Sequence, residues 1–219
     1  MRRSGNHNID VAVVGGGPSG AAAALALRRL GYSTVVIERS DYRGVRIGET
    51  LPPAVKPLLV SLGVWDQFVA QNHSLAFSIR SAWGGDNLYD NDFIFNPYGA
   101  GWHVDRVCFD EMLANCAEQA GAGLYRNARL LSCENCSAGW RIAFADDDGQ
   151  HRFRAKFLVD ATGRTSYVAR KQGAKRITGD RLIGVFFFFS LNSRKSAIDV
   201  STLIEAVEDG WWYSAGLPD

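Results

Sequence analysis

A surplus of either charge is the first thing this sequence lacks. Its 24 Lys and Arg stand against 23 Asp and Glu, giving +1 overall. With both signs interspersed, no basic face for nucleic acid and no polybasic tract for an acidic membrane surface is expected. Long hydrophobic runs are missing as well. The one candidate, Val11 to Leu27, is broken by glycines and Pro18 and followed by Arg28 and Arg29, which suits a strand-to-helix turn better than a membrane span or a secretory signal. Cysteine is scarce, with four in the chain. Without a secretory signal these are expected to be reduced thiols in a cytoplasmic protein. Cys133 and Cys136 have the spacing of half a zinc knuckle, but no second pair follows, so no metal site is expected. Internal repeats and low-complexity tracts are absent too. What remains, 47% hydrophobic and 21% charged residues, is the composition of an ordinary globular chain.

The stretch that is present, and around which the rest is organised, runs from Ile9 to Glu38. An apolar, β-branched run reaches Gly15-Gly-Gly17-Pro18-Ser19-Gly20, which opens into the small helix formers Ala21 to Leu30. A second apolar strand, Ser33 to Ile37, ends at Glu38. Gly15, Gly17 and Gly20 fit the dinucleotide fingerprint. The first permits a tight turn, the second lets backbone approach a pyrophosphate, and the third packs helix on strand. The helix N-terminus offers unpaired N–H groups to phosphate. Glu38 stands where an acid bonds the ribose hydroxyls of an adenosine.

Further along, a helix is expected over Ala54 to Leu62, stopped at Gly63. Leu75 to Trp83 reads as a strand, and Asp86 to Ala100 as loop with short strand pieces. Trp102-His-Val-Asp-Arg106 leads into a helix with Phe109, Met112, Leu113, Cys116 and Ala120 at helical spacing, ended by Gly121. Strands are expected at 124–126, 130–133, 140–144 and 151–155, with Asp146 to Gly149 as a hairpin turn. Phe157 to Arg164 then repeats the opening grammar of strand, acid and glycine, with Asp160 and Gly163 at its turn, before a helical stretch from Ser166 to Gln172. Val185 to Leu191, with four successive phenylalanines, reads as a strand buried on both faces or as an aromatic pocket wall. His103 reads as a hydrogen-bonded structural histidine rather than a base.

Four of these stretches together resemble the FAD-binding half of the para-hydroxybenzoate hydroxylase-type flavoenzymes, nearest the branch of flavin-dependent halogenases and their halogenase-like relatives. They are the Gly15/Gly17/Gly20 unit with Glu38, Arg46-Ile-Gly48-Glu49-Thr-Leu-Pro52, Trp102 to Arg106 with Phe109-Asp110, and Asp160-Ala-Thr-Gly163 through Arg170. The resemblance implies an α/β fold: a glutathione-reductase-type FAD/NAD(P)-binding, Rossmann-like domain with an antiparallel crossover sheet, plus part of a β-rich substrate domain. Residues 1–74 and 99–175 would form the FAD-binding domain, and residues 75–98 and 176–219 the substrate-domain pieces. The implied cofactor is FAD, held by Gly15, Gly17, Pro18, Ser19, Gly20, Glu38, Arg39, Arg46, Glu49, Arg106, Asp160 and Gly163. NAD(P)H or a separate flavin reductase is left open as the electron source.

The implied activity is that of an FAD-dependent oxidoreductase of monooxygenase type, oxidising an aromatic or other electron-rich small molecule. The flavin carries the chemistry, so no catalytic side chain is assigned. Candidate pocket walls are Trp83, Phe93, Phe95, Phe187 and Trp212. Two departures weigh against halogenation. Tryptophan halogenases place a lysine beside a phenylalanine where this chain has Phe77-Ser78-Ile79-Arg80. Their Trp-x-Trp-x-Ile-Pro is here Trp211-Trp-Tyr213-Ser-Ala215-Gly216. A halogenase, a flavoenzyme modifying tryptophan on a partner protein, an isoprenoid (geranylgeranyl-type) reductase and a flavin-binding module without turnover stay open. The resemblance covers only the family's N-terminal half, so the chain is expected to be incomplete.

Overall fold

A computed structural model describes residues 7–85, 87–190 and 201–218. Strand β1 (His7–Val14), helix α1 (Pro18–Arg29) and strand β2 (Thr34–Ile37) form the opening unit. β1 and β2 pair in parallel, Val11 against Thr34 through Val14 against Ile37. A parallel pair needs a crossover, and α1 supplies it. Side chains along β1 alternate between two cores: Val11 and Val13 face one, Ala12 and Val14 the other. Both faces are therefore covered, which is why this strand carries no polar residue after Asp10.

Next come short elements: β3 (Thr50–Leu51), α2 (Val55–Ser61), α3 (Trp65–Ala70), β4 (Ser74–Ala76), β5 (Ser78–Ala82), β6 (Tyr89–Asp92) and β7 (Gly101–His103). Helix α4 (Arg106–Gln119) follows, started by Asp105, whose Oδ1 accepts from Val107 N at 2.7 Å and Cys108 N at 3.1 Å. Phe109, Met112, Leu113 and Cys116 are buried on α4 as expected, but Ala120 is exposed at its C-cap, and Ala117 takes the last inward position. α1 and α4 cover the first core; the second lies under α5 (Tyr167–Lys171) and strands β8 (Gly123–Tyr125), β9 (Arg129–Cys136), β10 (Gly139–Asp146) and β11 (Gly149–Asp160). Strands β12 (Ser201–Val207) and β13 (Gly210–Ser214) close the described chain.

The strands make three sheets. The largest runs β8-β2-β1-β11-β10-β9, parallel through β11 and antiparallel beyond it. A second sheet runs β13-β12-β5-β6, and a third β3-β7-β4. Among the described residues, no helix is long and apolar enough to cross a membrane.

Several expectations need correction. Residues 151–155 and 157–160 are not two strands but parts of the single strand β11. Its residues 153–155 pair with β10 on one side and β1 on the other, and the pairing with β1 continues from Val11–Phe157 to Val14–Asp160 in the same register. Leu75 to Trp83 is not one strand: β4 pairs with β7, β5 pairs with β6 and β12, and Phe77 marks the crossing. Helix α3 was not expected at all. It is six residues long, too short for a helical period to show in sequence. The phenylalanine run is not a buried strand. Val185 to Phe189 carries no regular structure and is exposed, Phe189 by 85% (Leu191 lies outside the described residues).

Candidate cofactor site

The site forms where β1, β2 and β11 end together. β1 gives way at Gly15, whose φ of +101° is one an L-side chain rarely adopts. A Cβ there would come within 2.6 Å of the Ala161 carbonyl carbon. A Cβ on Gly20 would come within 2.9 Å of the Gly15 carbonyl carbon. Gly17 differs. It is the N-cap of α1, and a Cβ on it would meet nothing within 4 Å. Two of the three glycines are thus demanded by packing, and the third borders open space.

That space lies at the start of α1. No side chain caps the helix, its first turn carries no acid, and Pro18 at its first position has no N–H to satisfy. Ala21 N already bonds Gly17 O at 2.9 Å, leaving the Ser19 and Gly20 amides as the first-turn donors without an intrahelical acceptor. Ser19 is exposed.

The second glycine turn docks against the first. Ala161 N donates to Val14 O at 2.8 Å, so β11 ends beside the Gly15 turn. Asp160 accepts from Thr162 N at 3.0 Å, Thr162 Oγ1 at 2.6 Å and Ala169 N at 2.8 Å. Burial pushes its pKa up, but the bonds from Thr162, Ala169 and Val168 outweigh burial and leave it lowered. Asp160 therefore braces the turn and the start of α5. Gly163, exposed with φ +64°, has open space around it.

Glu38 ends β2 and is buried. Its Oε2 accepts from Gly16 N at 2.6 Å, and its Oε1 accepts from Ser40 N at 2.9 Å and Ser40 Oγ at 2.6 Å. A carboxylate has about four acceptor directions, so protein donors fill three and one remains on the Oε2 side for a ribose hydroxyl. Arg46 and Arg106 both turn inward onto Asp110, which has no exposure. Arg46 Nη1 lies 2.6 Å from Asp110 Oδ2, and its Nη2 donates to Ser40 Oγ at 2.6 Å. Arg106 Nε and Nη2 reach Asp110 at 2.9 and 3.1 Å, while its Nη1 donates to the carbonyls of Ile47 and Gly48. Arg39 is exposed beside this cluster, and Glu49 is buried with Oε2 accepting from Gly48 N at 2.9 Å.

Sequence reasoning assigned no role to four members of the site, although Asp110 lies in one of the matched stretches. Asp110 could have been noticed, since an acid among Phe109, Met112 and Leu113 on a buried helix face demands a cation, and Arg106 stands one turn before it. Ser40 shows only as a polar loop residue. Tyr42 gave no signal. It is wholly buried with φ +67°, its hydroxyl donates to Gly16 O at 2.8 Å, and its ring lies 5.0 Å under the Arg46 guanidinium. Gly16 is glycine because a Cβ would strike the Tyr42 hydroxyl.

Other candidate residues lie elsewhere. His103 is buried, with Nε2 2.9 Å from Thr202 Oγ1; Thr202 in turn lies 3.1 Å from Thr50 Oγ1, which also meets the Tyr213 hydroxyl. This chain ties β7 and β3 to the sheet of β12 and β13. The five candidate pocket walls are not brought together in one contact group among the described residues. Phe95 and Phe187 are exposed and Trp83 leans on Trp211 at 6.3 Å. A cavity of about 290 Å³ by α2 is lined by Lys56, Pro57, Val60, Ser61, Pro97 and Tyr98. Among the described residues, no group of three or more His, Cys, Asp or Glu side chains is placed to hold a metal.

The open cradle at Gly17, the uncapped and acid-free start of α1 and the spare acceptor direction on Glu38 fit an extended adenine dinucleotide such as FAD. Comparison with known proteins agrees. The sequence model of the family described as FAD dependent oxidoreductase matches residues 10–194. LodB of Marinomonas mediterranea is 30% identical over 213 residues, covering 96% of this chain and 57% of LodB. A 1H-pyrrole-2-carbonyl-[peptidyl-carrier protein] chlorinase of Pseudomonas fluorescens is 29% identical over 193 residues, covering 78% of this chain and 42% of the chlorinase. Among solved structures, a flavoprotein/dehydrogenase from Cytophaga hutchinsonii superposes with a TM-score of 0.83 at 21% identity, over 96% of this chain and 53% of that one, which shows the shared flavoprotein fold. The chain thus spans about half the length of the relatives it matches. It belongs to the FAD-dependent oxidoreductase family, with flavin-dependent halogenases among its relatives.

Proposed function

We propose that this chain supplies the FAD-binding part of a monooxygenase-like flavoenzyme that oxidises an electron-rich aromatic or similar substrate. Bound FAD would supply the redox chemistry and the activation of oxygen. The chain's own residues bind and orient it. Gly17 and the Ser19 and Gly20 amides receive the pyrophosphate, Glu38 the adenosine ribose, and the Gly163 turn closes from the other side. NAD(P)H, directly or through a flavin reductase, is the proposed electron source, and the four free thiols suit a cytoplasmic setting. The sheet of β13, β12, β5 and β6 is proposed as the beginning of the substrate domain.

The observation that favours oxygenation over halogenation lies on β5. Where a halogenase's amine is expected, Ser78 is buried and Arg80 Nε is paired with Asp90 Oδ1 at 3.2 Å. A guanidinium is a delocalised cation without a free amine lone pair and is a poor acceptor of an activated halogen. The halogenase relatives favour a second reading, transfer of halogen to an aromatic group, and the chlorinase's name extends it to an aromatic held on a carrier protein. One assay separates the two. Intact protein with reduced FAD, oxygen, bromide and tryptophan or indole should consume oxygen and give no brominated product by mass spectrometry. A brominated product that disappears in Arg80→Ala would overturn the oxygenation reading.

A further inference from the structure

Asp110 is a wholly buried carboxylate on a helix face otherwise built from Phe109, Met112 and Leu113. A charge so placed persists only when paired. Its two partners divide the work. Arg106 uses Nε and Nη2 on Asp110 and Nη1 on the carbonyls of Ile47 and Gly48, so it fastens α4 to the 47–48 backbone. Arg46 is held at one edge by Asp110 and across its face by Tyr42, which leaves Nη2 aimed at Ser40 Oγ.

The remaining steps have a fixed direction. Ser40 has one hydroxyl hydrogen. An arginine can only donate and an ionised carboxylate only accept. Ser40 Oγ must therefore accept from Arg46 and donate to Glu38 Oε1, both at 2.6 Å. Oε1 is then saturated by Ser40 N, Ser40 Oγ and the nearby Arg46 Nη2 at 3.8 Å. The open acceptor direction falls on Oε2, which Gly16 N holds against the glycine turn. The cluster pairs two guanidinium groups with two carboxylates, so charge balances within it.

We propose that Asp110, which the sequence motif leaves without a role, is a positioning residue for the adenosine ribose. It acts through Arg46 and Ser40 to set the carboxylate of Glu38. The proposal rests on the FAD reading above. With Asp110 neutralised, Arg106 loses its charged partner and Arg46 keeps only Glu38, at 3.8 Å; Arg46 loses its anchor, and the Ser40 hydrogen bond that fixes Glu38 is no longer held in line.

The test uses the flavin-free intact protein and two ligands, ADP and 2′,3′-dideoxy-ADP, titrated calorimetrically. The wild type should prefer ADP by roughly tenfold, the worth of a hydrogen bond to a charged group. In Asp110→Asn and in Ser40→Ala that preference should fall toward one, through loss of ADP affinity with the dideoxy ligand little changed. A merely structural role would weaken both ligands in parallel and leave the ratio intact. Ser40→Ala empties no core position, so it decides the matter if Asp110→Asn does not fold. An unchanged ratio in folded variants overturns the proposal while the FAD reading stands. A wild type that binds neither ADP nor FAD removes the FAD reading itself, and the proposal with it.

Discussion

Replacing Glu38 by alanine strikes both the resting site and its ligand, and the two effects can be measured apart. In the flavin-free protein the substitution strands the Gly16 amide, held at 2.6 Å inside a buried turn, together with the Ser40 amide and hydroxyl. Ser40 is only part-buried and can turn to water, so Gly16 dominates. Leaving one buried donor unsatisfied costs roughly 1–3 kcal/mol. For a domain of this size that lowers Tm by roughly 2–12 °C, at about 2–4 °C per kcal/mol. Loss of the ribose hydrogen bond makes FAD release easier by roughly 1–3 kcal/mol, which raises Kd about 5- to 150-fold. Thermal unfolding of the flavin-free variant reads the first number, and titration with FAD at a temperature where the variant is folded reads the second. A variant that melts with the wild type and binds FAD equally well would refute both roles assigned to Glu38.

Two other perturbations separate packing from binding. Gly20→Ala should destabilise the protein with or without flavin, by roughly 1–3 kcal/mol or more, because its Cβ would press on the Gly15 carbonyl. An unchanged denaturation midpoint would contradict that packing. Asp160 has a lowered pKa, so its stabilising contribution is full above the ordinary carboxylate value near 3.9 and is lost as pH falls through the still lower folded value. Asp160→Asn should therefore be less stable than wild type at pH 7, with the gap narrowing below about pH 4. A gap of constant size in unfolding midpoints across that range would rule out the carboxylate as its source.

The opening unit was legible because every signal in it is local. Strand, turn, helix and strand follow within thirty residues, and Gly15 and Gly20 are fixed by neighbours five positions apart or by the one turn that docks on them. Asp110 was legible only in part. Its i, i+4 partner Arg106 can be read from spacing, but Arg46 comes from 64 positions away and only the fold brings it near. Tyr42 could not be read, since nothing in a polar loop announces a buried ring beneath an arginine. The division of Leu75 to Trp83 between β4 and β5 was hidden for a related reason. Which sheet a short strand joins depends on partners elsewhere in the chain, here β7 for one half and β6 and β12 for the other. The phenylalanine run misled because hydrophobicity reports a wish for burial, whereas a strand also needs neighbours for its backbone.

The central claim is that FAD occupies the open side of the Gly15–Gly20 turn. Gly17 tests it most directly, being the one fingerprint glycine whose Cβ would touch no protein atom. Its φ of −65° is also open to any residue. Titration of flavin-free Gly17→Ala beside wild type, with FAD and with NAD, should show wild type preferring FAD. The variant should bind FAD at least tenfold more weakly, roughly the loss of one charge-assisted phosphate contact, while its unfolding midpoint stays unchanged. Equal FAD affinity in the two proteins, or tighter binding of NAD than of FAD by the wild type, would contradict the account.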